Sequence, residues 1–399
     1  MERLLSLSLF TLILLSPLYV IRWSYFGILP TTLLELLILV FCGVWVLWRV
    51  KRKDFSLPKT EFVFPILTIL FASILSIFVS SDRVAALGIA RAYFWEPIIV
   101  FLLITDMKKD ELLKEKINKS ILFGGISAGI WLALLGIAQA LFGMGIVTPH
   151  QIDRAHGVFN NGNALALFLG PLIASSLGIL VEKFKEFQLE RKKAILISGI
   201  LIVLVCAFFL SQSLGGILAL VGVVGVLLFT RYIHFAFFNK DTLLRLLVIG
   251  TFFISFFLMF FSNNFAPDVD NPWVRQGGTA LTRLCLWQGS GHLIQDNWLL
   301  GVGLSGFKET YSQNYVTCDA EPLEYPHNFF MALWSELGLL GLIGTVWLIW
   351  RVSAKLKGGK YSLSVLLALT YILIHGVVDV SYFKNDLSLQ FWMFLVLII

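Results

Sequence analysis

The side chains able to do chemistry in this 399-residue chain are concentrated in one polar segment, 263–326, and in the His327-Asn328 pair at which it ends. Arg275 and Arg283 stand in that segment beside Lys308, and Arg154 stands in a second polar loop; both loops are rich in Gly and Asn. A guanidinium presents a planar fork that grips the paired oxygens of a phosphate or carboxylate. These three arginines therefore read as oxyanion-binding residues on loops that can be shaped around a ligand. His327 follows Tyr325-Pro326. Proline suits the first positions of a helix and biases its predecessor away from one, so the imidazole is expected at the mouth of the helix that follows. There it can take a proton from a hydroxyl. For the residue alone, a histidine anchored at a membrane interface is the competing reading.

The elements that must hold these groups are membrane helices. With 58% hydrophobic residues, 14% charged residues and a mean hydropathy of +0.84, the chain is not an ordinary soluble domain but a polytopic membrane protein. At about 20 residues per span, the apolar stretches are 4–21, 25–48, 62–80, 87–105, 120–146, 163–181, 194–210, 214–230, 246–262, 328–350, 361–379 and 387–399. The expected fold is all-α: one transmembrane domain over 1–399 with about 12 helices, and a large extracytoplasmic loop, 263–326, carrying short amphipathic helices. No small-residue cleavage site follows the first stretch and Arg22-Trp23 interrupts its exit, so it reads as a retained span.

Lys and Arg accumulate in cytoplasmic loops. Here they crowd loops 49–61, 106–119, 182–193, 231–245 and 351–360, with Arg3, and only Arg22, Arg83, Arg91, Arg154, Arg275, Arg283, Lys308 and Lys384 remain for the other side. Both termini are thus expected in the cytoplasm and the long loop in the periplasm or exterior. The net charge of +6 follows from this topology and from anionic inner-leaflet lipid, and requires no nucleic acid. Among the outward cations, Arg22, Arg83 and Lys384 read as interfacial anchors. Arg91, five residues before Glu96-Pro97, reads either as half of an Arg–Glu pair or as a ligand-binding residue.

Other signals are weaker. Ala280, Leu284, Trp287, Gly291 and Ile294 recur at steps of four and three, predicting a short amphipathic helix along the membrane surface on which Trp287 could steady the Arg283 guanidinium. Gly301, Gly303 and Gly306 spell a GxGxxG pattern without the strand and crossover of a dinucleotide site, and a tight turn returning to the membrane accounts for them better. Asp268-Val269-Asp270 has no third acidic ligand nearby and reads as a solvated turn beside Pro267 rather than a metal site. Cys42 and Cys206 fall within spans, whereas Cys285 and Cys318 share the outward loop, where oxidising conditions would permit a bridge.

Taken in order, several of these pieces resemble the O-antigen ligase and polymerase family of bacterial surface polysaccharide synthesis. They are Arg283 with Leu286-Trp287, Trp298-Leu299-Leu300-Gly301-Val302-Gly303, Phe307, His327-Asn328 and Glu336-Leu337-Gly338-Leu339-Leu340-Gly341. Arg154-Ala155-His156-Gly157-Val158-Phe159-Asn160, followed by Asn163, is similar to a second family element. One departure stands out: where relatives often have Ser-Arg-Gly, this chain has Ser213-Leu214-Gly215, and Arg275 or Arg91 is the expected substitute for the lost charge. The resemblance implies a GT-C-like fold in the cytoplasmic (inner) membrane. It also implies an inverting, metal-independent glycosyltransferase that moves a glycan from a polyisoprenyl-diphosphate donor to a lipid or glycan acceptor at the outer leaflet, without a cofactor. On that basis His327 is the expected base, and Arg154, Arg283, Arg275, Arg91, Asn328 and Trp287 are the expected binding residues. A repeat-unit polymerase shares this chemistry. A lipid-linked glycan flippase is the alternative of a different class, although its usual internal repeats and midplane charges are not evident.

Overall fold

The computed structural model describes residues 1–25, 29–54, 56–143, 154–185, 191–232, 239–262, 279–317 and 323–399. Each apolar stretch contains a helix: α1 (Glu2–Leu14), α2 (Leu33–Arg52), α3 (Val63–Val79), α4 (Arg83–Ile89) running through a π-turn (Ala90–Trp95) into α5 (Glu96–Met107), α6 (Glu111–Phe142), α7 (Gly162–Lys185), α8 (Arg191–Leu210), α9 (Leu214–Tyr232) and α10 (Lys240–Ser262). Between the polar segment's two short helices, α11 (Thr279–Asp296) and α12 (Phe307–Asn314), and the C-terminus come α13 (Phe329–Ser353), α14 (Ser362–His375) and α15 (Asn385–Val396). Among the described residues, seven stretches are long and apolar enough to cross a membrane: α2, α4–α5, α6, α7, α9, α10 and α13.

Among the described residues one small hairpin interrupts the helices: β1 (Arg22–Tyr25) pairs antiparallel with β2 (Leu29–Thr32), Arg22 opposite Thr32. Pro30 cannot donate within a helix, and α2 starts only after Thr32, whose hydroxyl accepts from the Glu35 amide at 3.2 Å. The helix expected near 280–294 forms as α11 and packs against α10 and α13. Leu286 and Leu293, off the predicted stripe, are buried with Trp287 and Ile294 and widen the apolar surface beyond one face.

Small residues set the tightest helix contact. A Cβ on Gly170 would strike the Tyr371 ring, and one on Gly178 would lie 2.5 Å from the Ser364 Cα, so α7 and α14 approach backbone to backbone. Ser175 and Ser364 hydroxyls meet across this seam at 2.6 Å, and the Tyr371 hydroxyl donates to the Ala166 carbonyl at 3.0 Å. The basic loops gather at one end of the bundle, where Lys116 pairs with Glu2, Lys355 with Glu61, Lys360 with Glu115 and Arg52 with Asp110. Among the described residues, the alternate connections bring Arg283, His327 and Asp379 together.

Helix α13 is broken at Gly338, whose φ of +68° suits glycine and where a Cβ would lie 2.2 Å from the Leu299 carbonyl oxygen. The break frees backbone groups that need partners. The turn 298–304 supplies them: the Val302 amide donates to the Ser335 carbonyl at 2.7 Å and the Leu339 amide to the Leu299 carbonyl at 3.1 Å. From α3, the Ser76 hydroxyl donates to the Glu336 carbonyl at 2.9 Å and accepts from the Leu304 amide at 2.6 Å. The glycines of the GxGxxG pattern thus serve a docking turn, since a Cβ on Gly301 would meet the Ser335 carbonyl oxygen at 2.4 Å.

Candidate active site

His327 lies immediately before α13 in a left-handed backbone conformation, φ +48°, a strained position for a residue with a Cβ. Its neighbours hold it there. The Asn328 side chain caps α13, accepting from the Phe330 and Met331 amides at 3.0 and 3.1 Å, and its own amide donates to the Val377 carbonyl at 2.8 Å. The Phe329 amide donates to the Gly376 carbonyl at 2.7 Å. The 376–384 loop between α14 and α15 is thereby fastened to the His327 turn, and it delivers Asp379.

His327 Nδ1 lies 3.0 Å from Asp379 Oδ1, which also accepts from the Val380 amide at 2.8 Å. Asp379 Oδ2 faces Arg283 Nη2 at 3.9 Å. Burial by itself would raise the Asp379 pKa, but the charges and hydrogen bond of His327, then His375 and Arg283, outweigh it and hold the carboxyl well below its ordinary value. A carboxylate can only accept, so Nδ1 carries a proton, and in the neutral imidazole the lone pair is at Nε2. The trio is an imidazole oriented by a buried anion, with a guanidinium on that anion's far side.

A cavity of about 440 Å³ opens beside His327 and Asp379. Tyr19, Arg22, Asn160, Asn161, Asn163 and Lys384 also line it. A separate apolar groove of about 450 Å³ runs between α9 and α10 and reaches Val377-Val378, next to Asp379.

The expected site residues separate in the structure. Arg154 Nε donates to the Ser211 carbonyl at 2.9 Å, and Nη2 donates to Asn163 Oδ1 at 3.0 Å and to the Gln212 carbonyl at 3.4 Å. These partners are neutral, so its charge is not cancelled, and it sits at the turn just before Leu214. Arg91 pairs with Glu35 at 2.8 Å and with Glu96 at 3.4 Å, and it is not among the residues lining the cavity. Asn328 is fully buried, with its oxygen committed to the helix cap, so it positions His327 instead of touching a ligand. Trp287 packs among Met259, Phe307, Tyr311 and Met331, and no Arg283–indole contact forms; a full negative charge on Asp379 attracts the guanidinium more strongly than a ring face does. Among the described residues Arg283 Nε and Trp287 Nε1 are buried without hydrogen-bond partners. Arg275, Cys318 and Asp268-Val269-Asp270 lie outside the described residues, while Cys285 is disulfide-bonded. Arg22 and Lys384, expected as anchors, line the cavity with His327. Asp379 could not be paired with His327 from sequence, because 52 residues separate them.

These features define a many-helix integral membrane protein with a polar site where its alternate loops converge. Residues 199–346 match the O-antigen ligase family model. The matched stretch contains Arg283, the docking turn, His327-Asn328 and the Gly338 break; Arg154, Asp379 and Lys384 fall outside it. Comparison with curated proteins finds no match. The family points to a membrane enzyme of ligase or polymerase type in surface polysaccharide synthesis.

Proposed function

We propose that the protein transfers a glycan from a polyisoprenyl-diphosphate donor to an acceptor hydroxyl on the outer face of the inner membrane. The His327–Asp379–Arg283 arrangement beside an open cavity carries this proposal. The acceptor hydroxyl enters the cavity and gives its proton to His327 Nε2 as its oxygen attacks the anomeric carbon. The bond from that carbon to the diphosphate breaks, and the polyisoprenyl diphosphate leaves with the electron pair. Arg283 and Arg154 hold the growing negative charge, and Asp379 stabilises the imidazolium. One direct displacement inverts the anomeric centre. The leaving group is already activated, so neither nucleotide nor metal is needed, and transfer is expected to persist in EDTA.

The groove between α9 and α10 supports a lipid donor, because it offers an apolar path from the bilayer to the loop bearing Asp379. The outward placement is supported by the Lys and Arg asymmetry and by the disulfide at Cys285, a bond typical of oxidising compartments. The intact His-Asn and Glu-Leu-Gly elements favour ligase action, moving a finished glycan, over polymerisation. The decisive experiment is transfer by the purified protein in liposomes, from a polyisoprenyl-diphosphate glycan to a panel of lipid and glycan acceptors. A new glycosidic bond of inverted configuration, lost in His327→Ala, is the expected result; translocation of the donor without bond formation would make the protein a flippase.

A further inference from the structure

The cavity beside His327 contains more positive charge than the transfer step uses. Arg22 reaches it from β1 and Lys384 from the turn before α15, elements far apart in sequence. Among the described residues neither cation forms an ion pair. The acidic lining groups are engaged elsewhere: Asp379 with His327 and Arg283, and Glu324 with Lys308 at 2.5 Å. Aromatic rings support both cations, the Arg22 guanidinium 5.9 Å from the Tyr19 ring centre and Lys384 Nζ 5.9 Å from that of Phe159. Burial lowers the Lys384 pKa, opposed in part by the Asp386 and then the Asp379 charge, so the ammonium is held where a further anion would relieve it.

We propose that this cavity is the acceptor subsite, and that it takes a glycan bearing an anionic substituent, a phosphate or a carboxylate, gripped by Arg22 and Lys384. The inference rests on the transferase function above, and geometry assigns the cavity to the acceptor. His327 must meet the attacking hydroxyl and lines this cavity, whereas Arg283, assigned to the donor diphosphate, approaches Asp379 through the other carboxylate oxygen and does not line it. Asn160, Asn161 and Asn163 place neutral donors and acceptors beside the two charges, the complement expected for sugar hydroxyls around one anionic group.

Binding to the full-length protein in nanodiscs tests this directly, with octyl glucoside 6-phosphate against octyl glucoside and octyl glucuronide against its methyl ester. The charged member of at least one pair is expected to bind about tenfold tighter, the worth of a charge-assisted hydrogen bond. Which pair shows the preference distinguishes phosphate from carboxylate. Lys384→Gln and Arg22→Gln should each erode the preference and Lys384→Arg should retain it. Equal binding of charged and neutral probes by the wild type, or an undiminished preference in the double Gln variant, would overturn the proposal. In the transfer assay Lys384→Gln should raise the KM for a charged acceptor about tenfold with the donor KM unmoved; a rise in donor KM instead would place these cations on the diphosphate and refute the acceptor assignment. Absence of transfer by the wild type would count against the transferase function, while the binding measurements would still decide whether the cavity selects anions.

Discussion

Helix α13 meets polar chain at two places, and they are built differently. At the Gly338 break the freed backbone groups are taken up by the 298–304 turn and by Ser76, and three glycines make the close approach possible. At the His327 mouth the bonding is incomplete among the described residues: the backbone is strained, Arg283 Nε has no hydrogen-bond partner, and Arg22 and Lys384 line a cavity without an ion pair. The first junction mends a helix although its glycines spell a nucleotide fingerprint. The second sets a strained histidine and two cations on open space, the condition for binding and catalysis.

The sharpest way to break this contrast is His327→Ala, expected to reduce transfer per folded molecule by about 10²-fold or more. Asp379→Asn should lose nearly as much, because an amide can present its own N–H to Nδ1 and favour the wrong tautomer. Arg283→Gln is expected to lower kcat/KM by about 10–10²-fold, the loss of one charge-assisted contact to the leaving group. Gly338→Ala should act in the opposite manner, destabilising the protein by about 2 kcal/mol or more, with turnover per folded molecule preserved; full stability with lost turnover would make the break catalytic. Arg91→Met is expected to cost about 1–3 kcal/mol, between the values for exposed and buried pairs, again without changing turnover. Mild acidification should have the smallest effect. The Asp379 pKa is depressed in the folded protein, so its stabilising contribution is present above the ordinary carboxylate range and is lost only as the pH falls below it. Thermal melts from pH 7 down to about pH 4 should therefore show no Asp379-dependent loss, and the acid limb below that should be shallower in Asp379→Asn.

The helices were legible because apolar runs of bilayer length are a one-dimensional signal, and α11 was legible from its spacing. Local pairs were partly legible. The Arg91–Glu96 contact follows from a five-residue separation, but Glu35, the closer partner of Arg91, lies 56 residues away and has no sequence signature. Arg283 and Trp287 have ideal helical spacing, yet Asp379 reaches the guanidinium from another element. The same limit misplaced Arg22 and Lys384, because counting charges by loop fixes the end of the bundle at which a cation lies but not whether it faces lipid or cavity. The β1–β2 hairpin was hidden inside what hydropathy read as the start of a span.

The shortness of α14 and α15 fixes the level of the site. With 14 and 12 residues they extend about 20 Å at 1.5 Å per residue, some 10 Å less than the hydrocarbon thickness. Lys108 Nζ bonds the Val396 carbonyl at 2.6 Å, which ties the C-terminal end of α15 to the basic end of the bundle. With the site facing outward as proposed, the loop carrying Asp379 would lie below the plane of the outer headgroups. A lipid donor would descend to meet its arginines without leaving the bilayer, and only its sugar chain would have to project into the water above.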